Sequence, residues 1–336
     1  MDRSRRPKRS PRETCQEMTE VVLELRNEHP AWGPRKLKRR LEDLGREGVP
    51  AHSTVGVILR RNGVLDASKA PQHKPHCRFE RSAPNHLWQM DFKGDFALVR
   101  GGRCYPLPII DDHSRYLLGI FACGDQREHT VRGHLKNVFE RYGLPEEVLC
   151  DNGSPWRGPG GEWTRLEVWL LRHGIRVLHG RPYHPQTQGK EERLNRTLNA
   201  EVLIRRDWRD LPQTQREFDK WRRIYNHERP HQSLGMAVPA TRYAASLRPY
   251  RATLEPIEYG PEDEVKGVKS KGEIMWRSQS YFIGKAFVGE PVAIRRTTKE
   301  QIFAVYYCHQ QIGQIDLSRK AASRHHYISI RNAREG

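Results

Sequence analysis

The sequence contains no Cys-x-x-Cys pair, no apolar run long enough to cross a bilayer, and no hydrophobic segment behind its basic N-terminus. Its six cysteines (Cys15, Cys77, Cys104, Cys123, Cys150 and Cys308) are scattered. They read as reduced, mostly buried thiols, which excludes a disulfide scaffold. His73, His76 and Cys77 have no second cysteine pair to complete a tetrahedral set, so no zinc is expected. The missing apolar run and the lack of a lipidation motif exclude membrane anchorage, and the missing signal segment points to the cytoplasm. Acid is also in short supply: 41 Asp and Glu stand against 59 Lys and Arg, a net charge of +18. Such an imbalance calls for a polyanion, most simply nucleic acid.

What is there divides into segments. At 336 residues the chain has room for two or three domains. Residues 1–13 form a basic arm, with Arg3, Arg5, Arg6, Lys8, Arg9 and Arg12 among Pro and Ser, too polar to build a core. Residues 14–66 hold three short amphipathic helices. Met18, Val21, Val22 and Leu25 mark the first, Leu37, Leu41 and Leu44 the second, and Val55, Ile58 and Leu59 the third. Pro34 suits a first helical position, and Gly63 suits a helix end. This is the pattern of a helix-turn-helix DNA-binding module. Arg35, Lys36, Lys38 and Arg39 suit phosphate contact, while Thr54, Arg60 and Arg61 ride on the helix expected in the major groove. A small dimerisation bundle is the blander alternative.

A basic linker, 67–84, precedes a change of period. Within 85–245, Leu87–Phe92, Cys104–Ile110 and Arg115–Phe121 read as strands. A helix over Val131–Phe139, a strand over Glu147–Cys150, a helix over Trp163–His173 and a strand over Ile175–Leu178 follow. Two more helices are marked by Leu194, Leu198 and Val202 and by Phe218, Trp221 and Tyr225. Hairpins first and alternating α and β afterwards predict an α/β fold, a mixed sheet with helices on both faces. Residues 246–262 read as a linker, 263–320 as short strands of a small β-barrel, and 321–336 as a basic tail.

Three carboxylates stand out. Asp91 sits in an aromatic strand, where a lone charge is costly. Asp151 follows a strand end, the place where α/β sheets gather site residues. Pro182, Pro185 and Gly189 make a polar loop that feeds Glu191 and Glu192 into a helix. Three clustered acids repel unless cations intervene. Two Mg²⁺ ions would balance three carboxylates and a phosphate and clamp an in-line phosphoryl displacement, and Mn²⁺ would serve similarly.

A bare triple of acids is weak evidence in so charged a chain, but its context is not. Trp88-Gln89-Met90-Asp91-Phe92, Ile110-Asp111-Asp112-His113-Ser114-Arg115, Asp151-Asn152-Gly153-Ser154 and Tyr183–Arg193 together resemble the integrase catalytic core shared by retroviral integrases and bacterial insertion-sequence transposases. Tyr225-Asn226-His227-Glu228-Arg229-Pro230-His231 with Pro239 resembles the bacterial members. The resemblance spans roughly residues 14–320. It implies a ribonuclease H-like core and Asp91, Asp151 and Glu192 as catalytic, metal-binding acids. Glu192 is preferred because the family places its acid third after the glycine, and Glu191 lies about 100° away on a helix. The resemblance also implies DNA contacts from Tyr183, Gln188, Lys190, Arg193 and Arg196, with hydrolysis at the element's ends and 3′-hydroxyl transfer into target DNA. Synapsing two ends requires at least a dimer on double-stranded DNA, in a bacterial cytoplasm at the nucleoid.

Three features depart from the family. The separation from Asp151 to Glu192 is 192 − 151 = 41, with an insertion expected at 156–161. The retroviral zinc module has no counterpart, which favours the bacterial branch. Relatives there often carry a further helix-turn-helix before residue 14, where this sequence has only the basic arm. Asp111 and Asp112 read as turn caps rather than metal ligands. The rival functions are a non-catalytic DNA-binding remnant that represses an intact transposase, and a nuclease for RNA–DNA hybrids.

Overall fold

The computed structural model describes residues 14–65, 80–151, 153–180, 189–205, 207–318 and 326–327. Three helices come first: α1 (Gln16–Glu28), α2 (Pro34–Asp43) and α3 (His52–Arg61). Val22, Leu25, Trp32, Leu37, Leu41, Val55 and Leu59 form their own core. Arg26 donates to the carbonyls of Trp32 and Val64, at 2.6 and 2.9 Å, fastening both ends of the module to α1.

The central sheet is built from β1 (Leu87–Met90), β2 (Phe96–Ala97), β3 (Arg103–Asp111), β4 (Leu117–Cys123), β5 (Glu147–Cys150) and β6 (Arg176–His179). β4 and β1 flank β3 antiparallel, whereas β1, β5 and β6 run parallel. Adjacent side chains on a strand face opposite ways, and the two cores follow that rule along β3, while the irregularity opposite Ile109 and Ile110 shifts it on β4. Leu107, Ile109 and Leu118 pack with Val131, Leu135, Phe139, Leu166 and Leu170 of α4 (Glu128–Tyr142) and α5 (Arg165–Arg172). Ile110, Leu117 and Ile120 pack oppositely, against α6 (Gly189–Glu201) and α7 (Leu211–His227) through Leu194, Leu198, Phe218 and Trp221. The sheet is therefore mixed and covered on both faces.

The short strand Phe96–Ala97, which has only two residues and no pattern of its own, was not foreseen. Residues 246–262 are more than a tether. The Arg248 carbonyl accepts the Leu144 N–H at 2.8 Å, and its guanidinium donates to the Gly174 carbonyl at 2.8 Å.

The C-terminal part comprises β7 (Glu264–Gly267), β8 (Glu273–Trp276), β9 (Gln279–Phe282), β10 (Pro291–Arg296), β11 (Ile302–Tyr307), β12 (Gln310–Asp316) and β13 (His326–Tyr327). They form a four-stranded antiparallel sheet, in the order β12-β11-β10-β7, and a three-stranded sheet, β13-β9-β8. β13 joins β9 in parallel. Trp163, ahead of α5, meets Phe287 edge-on at 6.0 Å, so this part shares a core with the central domain. Among the described residues no helix is long and apolar enough to cross a membrane.

Candidate metal and nucleic-acid site

β1 and β5 set the site. Their parallel register pairs Leu87 with Glu147 and Gln89 with Leu149, an offset of 149 − 89 = 60. Continued by two residues, that offset brings Asp91 opposite Asp151, since 91 + 60 = 151. Both acids stand one residue past their strands, at the C-terminal edge where parallel sheets present ligands. Burial, and then the charge of Asp151, pushes the Asp91 carboxyl up to about 7. Asp151 Oδ1 accepts the Gly153 N–H at 2.9 Å. A Cβ on Gly153 would stand 3.1 Å from the other oxygen, a tight contact with the Asp151 carboxylate. Trp156, fully buried, packs against Phe92 at 6.1 Å and ties the loop beyond Asp151 to the residue after Asp91.

The glutamates face the reverse of what was expected. Glu191 is 3% exposed, and burial together with the charges of Asp91 and Asp151 raises its carboxyl well above the usual range. Its Oε1 is buried with no hydrogen-bond partner among the described residues. Glu192 lies on the outer side of the same turn, its side chain 61% exposed and 3.2 Å from Arg196. The reason is the helix phase. Leu194 and Leu198 must face the sheet, and Glu191, three residues before Leu194, shares their side. No group of three His, Cys, Asp or Glu side chains among the described residues stands close enough, as they lie, to hold one cation.

Lys190 also differs from expectation. Rather than reaching for DNA, its Nζ lies 2.5 Å from Oδ1 of fully buried Asp112. Burial, then Arg115, lowers its ammonium to about 8. Asp112 also accepts the Arg81 N–H and the Gln89 amide, each at 2.7 Å. Its neighbour Asp111 caps the β3–β4 turn, accepting from the Ser114 N–H at 2.7 Å and hydroxyl at 2.5 Å. Thus Asp112, read from sequence as a cap, anchors the start of α6.

Arg193 and Arg196 are exposed on α6. Tyr183 and Gln188 fall outside the described residues. On the first domain, Arg35, Lys36, Thr54, Arg60 and Arg61 line one open groove. Lys36 reaches toward the central domain as well; burial and Arg229 lower it to about 7. Lys38 pairs with Glu42, and Arg39 with Asp43 at 2.8 Å, on their own helix. Arg40 pairs with Glu228 at 2.5 Å, joining the two domains.

Four family models match in chain order. They are a homeodomain-like domain over residues 1–59, integrase core domains over 81–185 and 173–239, and the IS481 family transposase C-terminal domain over 263–323. An integrase core followed by the C-terminal domain of IS481 family transposases makes the chain a transposase of integrase-core type. The transposase is 26% identical over 253 residues to the insertion element IS476 uncharacterized 39.2 kDa protein of Xanthomonas euvesicatoria, covering 72% of this chain and 68% of that one. It is 26% identical over 239 residues to the IS407 uncharacterized 31.7 kDa protein of Burkholderia multivorans, covering 68% and 80%. Among solved structures, a simian T-cell lymphotropic virus intasome chain aligns over 86% of the transposase and 96% of its own length. That alignment has a TM-score of 0.42 and 15% identity.

Proposed function

We propose that the transposase binds the ends of its element through Arg35, Lys36, Lys38, Arg39, Thr54, Arg60 and Arg61, hydrolyses a phosphodiester there, and transfers the resulting 3′-hydroxyl into target DNA. The observation that carries this reading is the placement of Asp91 and Asp151 on adjacent parallel strand ends, facing the acidic first turn of α6. Asp91, whose affinity for protons rises with its burial and with the charge of Asp151, marks a cluster short of positive charge. The orphaned Glu191 oxygen adds to that deficit. The donor set, all carboxylate oxygen, fits Mg²⁺ or Mn²⁺, and we propose a pair of such ions. Bound there, they neutralise phosphate charge and activate the attacking oxygen.

Asp91, Asp151 and Glu192 are the acids we assign to the metals. Glu191 points inward as the turn lies, yet it does not complete a ligand set there. In this reading the first turn alone rotates by one residue, about 100°, while Leu194 and Leu198 stay on the sheet, and Glu192 takes the place of Glu191. Glu192 is free to move, because an exposed i,i+4 pair such as Glu192–Arg196 is worth under about 0.5 kcal/mol. Arg193 and Arg196, beside it, meet the DNA backbone; Tyr183 and Gln188 flank the scissile strand. Two ends are joined by at least two copies, on DNA of the bacterial nucleoid in the cytoplasm.

The test is a joining assay with the element's own terminal DNA. Mg²⁺-dependent covalent joining is expected. End binding without joining in either Mg²⁺ or Mn²⁺ would favour the non-catalytic repressor.

A further inference from the structure

A buried carboxylate–imidazole pair lies directly behind Asp151, and the chemistry above does not use it. His179 is the last residue of β6, paired in register with Cys150. Its Nδ1 stands 2.9 Å from the backbone carbonyl of Asp151. A carbonyl oxygen only accepts, so Nδ1 carries a proton and donates it. Its Nε2 stands 2.7 Å from Oε1 of Glu167, and both side chains are more than nine-tenths buried. The other oxygen of Glu167 accepts the Thr164 N–H at 2.7 Å, closing the capping box that starts α5.

These contacts form one chain from the start of α5, through Glu167 and His179, to the Asp151 backbone. Its position in the sheet gives it meaning. The backbone bond between Gly180 N–H and the Cys150 carbonyl, at 3.1 Å, holds the chain up to the end of β5. One residue further on, at Asp151, the bond comes from the His179 side chain. An apolar residue at 179 would fill the space without the desolvation that a buried imidazole and carboxylate incur.

We propose that His179, oriented by Glu167, is a positioning residue that fixes the Asp151 backbone so that its carboxylate meets Asp91 and the metal. The proposal rests on the assignment of Asp151 to the metal site. Its test uses two substitutions that divide the ring's contacts. The amide nitrogen of Asn stands near the place of Nδ1, and that of Gln near the place of Nε2. His179→Asn keeps the bond to Asp151 and strands Glu167, while His179→Gln does the opposite.

In the full-length protein without DNA, Mn²⁺ binding is followed by the shift in melting temperature, with melting in chelator as the stability control. His179→Gln is expected to need roughly tenfold more Mn²⁺ for half-saturation, in the range typical of lost outer contacts to a metal ligand. His179→Asn is expected to stay near wild type in Mn²⁺ affinity, although it melts lower in chelator. Mn²⁺ affinity that simply follows melting temperature, or that is unchanged in both variants, would overturn the positioning role. Asp151→Asn is the control that separates the two ideas. If it binds Mn²⁺ like wild type, the assignment of Asp151 fails; if it loses Mn²⁺ while both histidine variants keep it, only the brace fails. Should a histidine variant not fold, Glu167→Leu replaces it, with the same roughly tenfold weakening expected. Unchanged Mn²⁺ affinity in folded Glu167→Leu would overturn the proposal.

Discussion

Asp91 and Asp151 stand on a wall that a sheet fixes, whereas Glu191 and Glu192 stand on one that the rotation of a helix decides. Two strand ends cannot change register without turning every side chain to the other face, so the aspartates have one arrangement. The first turn of α6 has two carboxylates about 100° apart, and which one faces the aspartates depends on the phase of Leu194 and Leu198 and on the Lys190–Asp112 anchor. In the proposed assignment two of the three acids are held by the sheet and the third, Glu192, is brought in by the helix.

The comparison can be broken at four points. Asp91→Asn or Asp151→Asn should have the largest effect, lowering joining by at least about a thousandfold while leaving end binding intact. Joining and binding measured on the same folded preparation check this. Lys190→Met should come next, because it leaves Asp112 buried with an unmatched charge. A loss of about 1–3 kcal/mol in denaturant unfolding is expected, since the Arg81 and Gln89 donors remain. Joining should fall further than stability accounts for, as α6 loses its anchor.

A smaller effect concerns pH. The raised Asp91 carboxyl holds a proton in the folded chain that the unfolded chain releases above about pH 4. Metal-free stability should therefore fall as pH rises from about 4 to 7, and Asp91→Asn should flatten that decline. Added Mg²⁺ should oppose it. Thermal melts at several pH values, with chelator and with Mg²⁺, check the sign. Smallest is the effect of Arg60→Ala or Arg61→Ala. Each should weaken end binding and reduce the slope of log affinity against log salt by about 1.

Much of this was legible in the sequence because the signals were local. Helical spacing of Val22, Leu25, Leu37, Leu41, Val55 and Leu59 gave the first domain, and Asp151 announced itself by following the apolar run Glu147–Cys150. Asp91 read as part of its strand and lies one residue beyond it, a difference that burial alone does not encode. The orientation of Glu191 was not legible. It depends on which side of α6 the sheet takes, and the family pattern pointed to its neighbour. Lys190 read as a DNA contact because its charge is visible in the sequence and Asp112, distant in the chain, is not visibly its partner. The Glu167–His179 pair left no motif at all: the two residues are twelve apart and meet only because α5 returns to β6 beside β5.

The most direct test of the moving wall is joining by Glu191→Gln and Glu192→Gln, measured side by side in Mg²⁺ with the element's own ends. The account predicts that Glu192→Gln joins no detectable DNA and that Glu191→Gln retains joining. Joining by Glu192→Gln together with none by Glu191→Gln would contradict it, and would make the inward carboxylate, as it already lies, the third acid of the site.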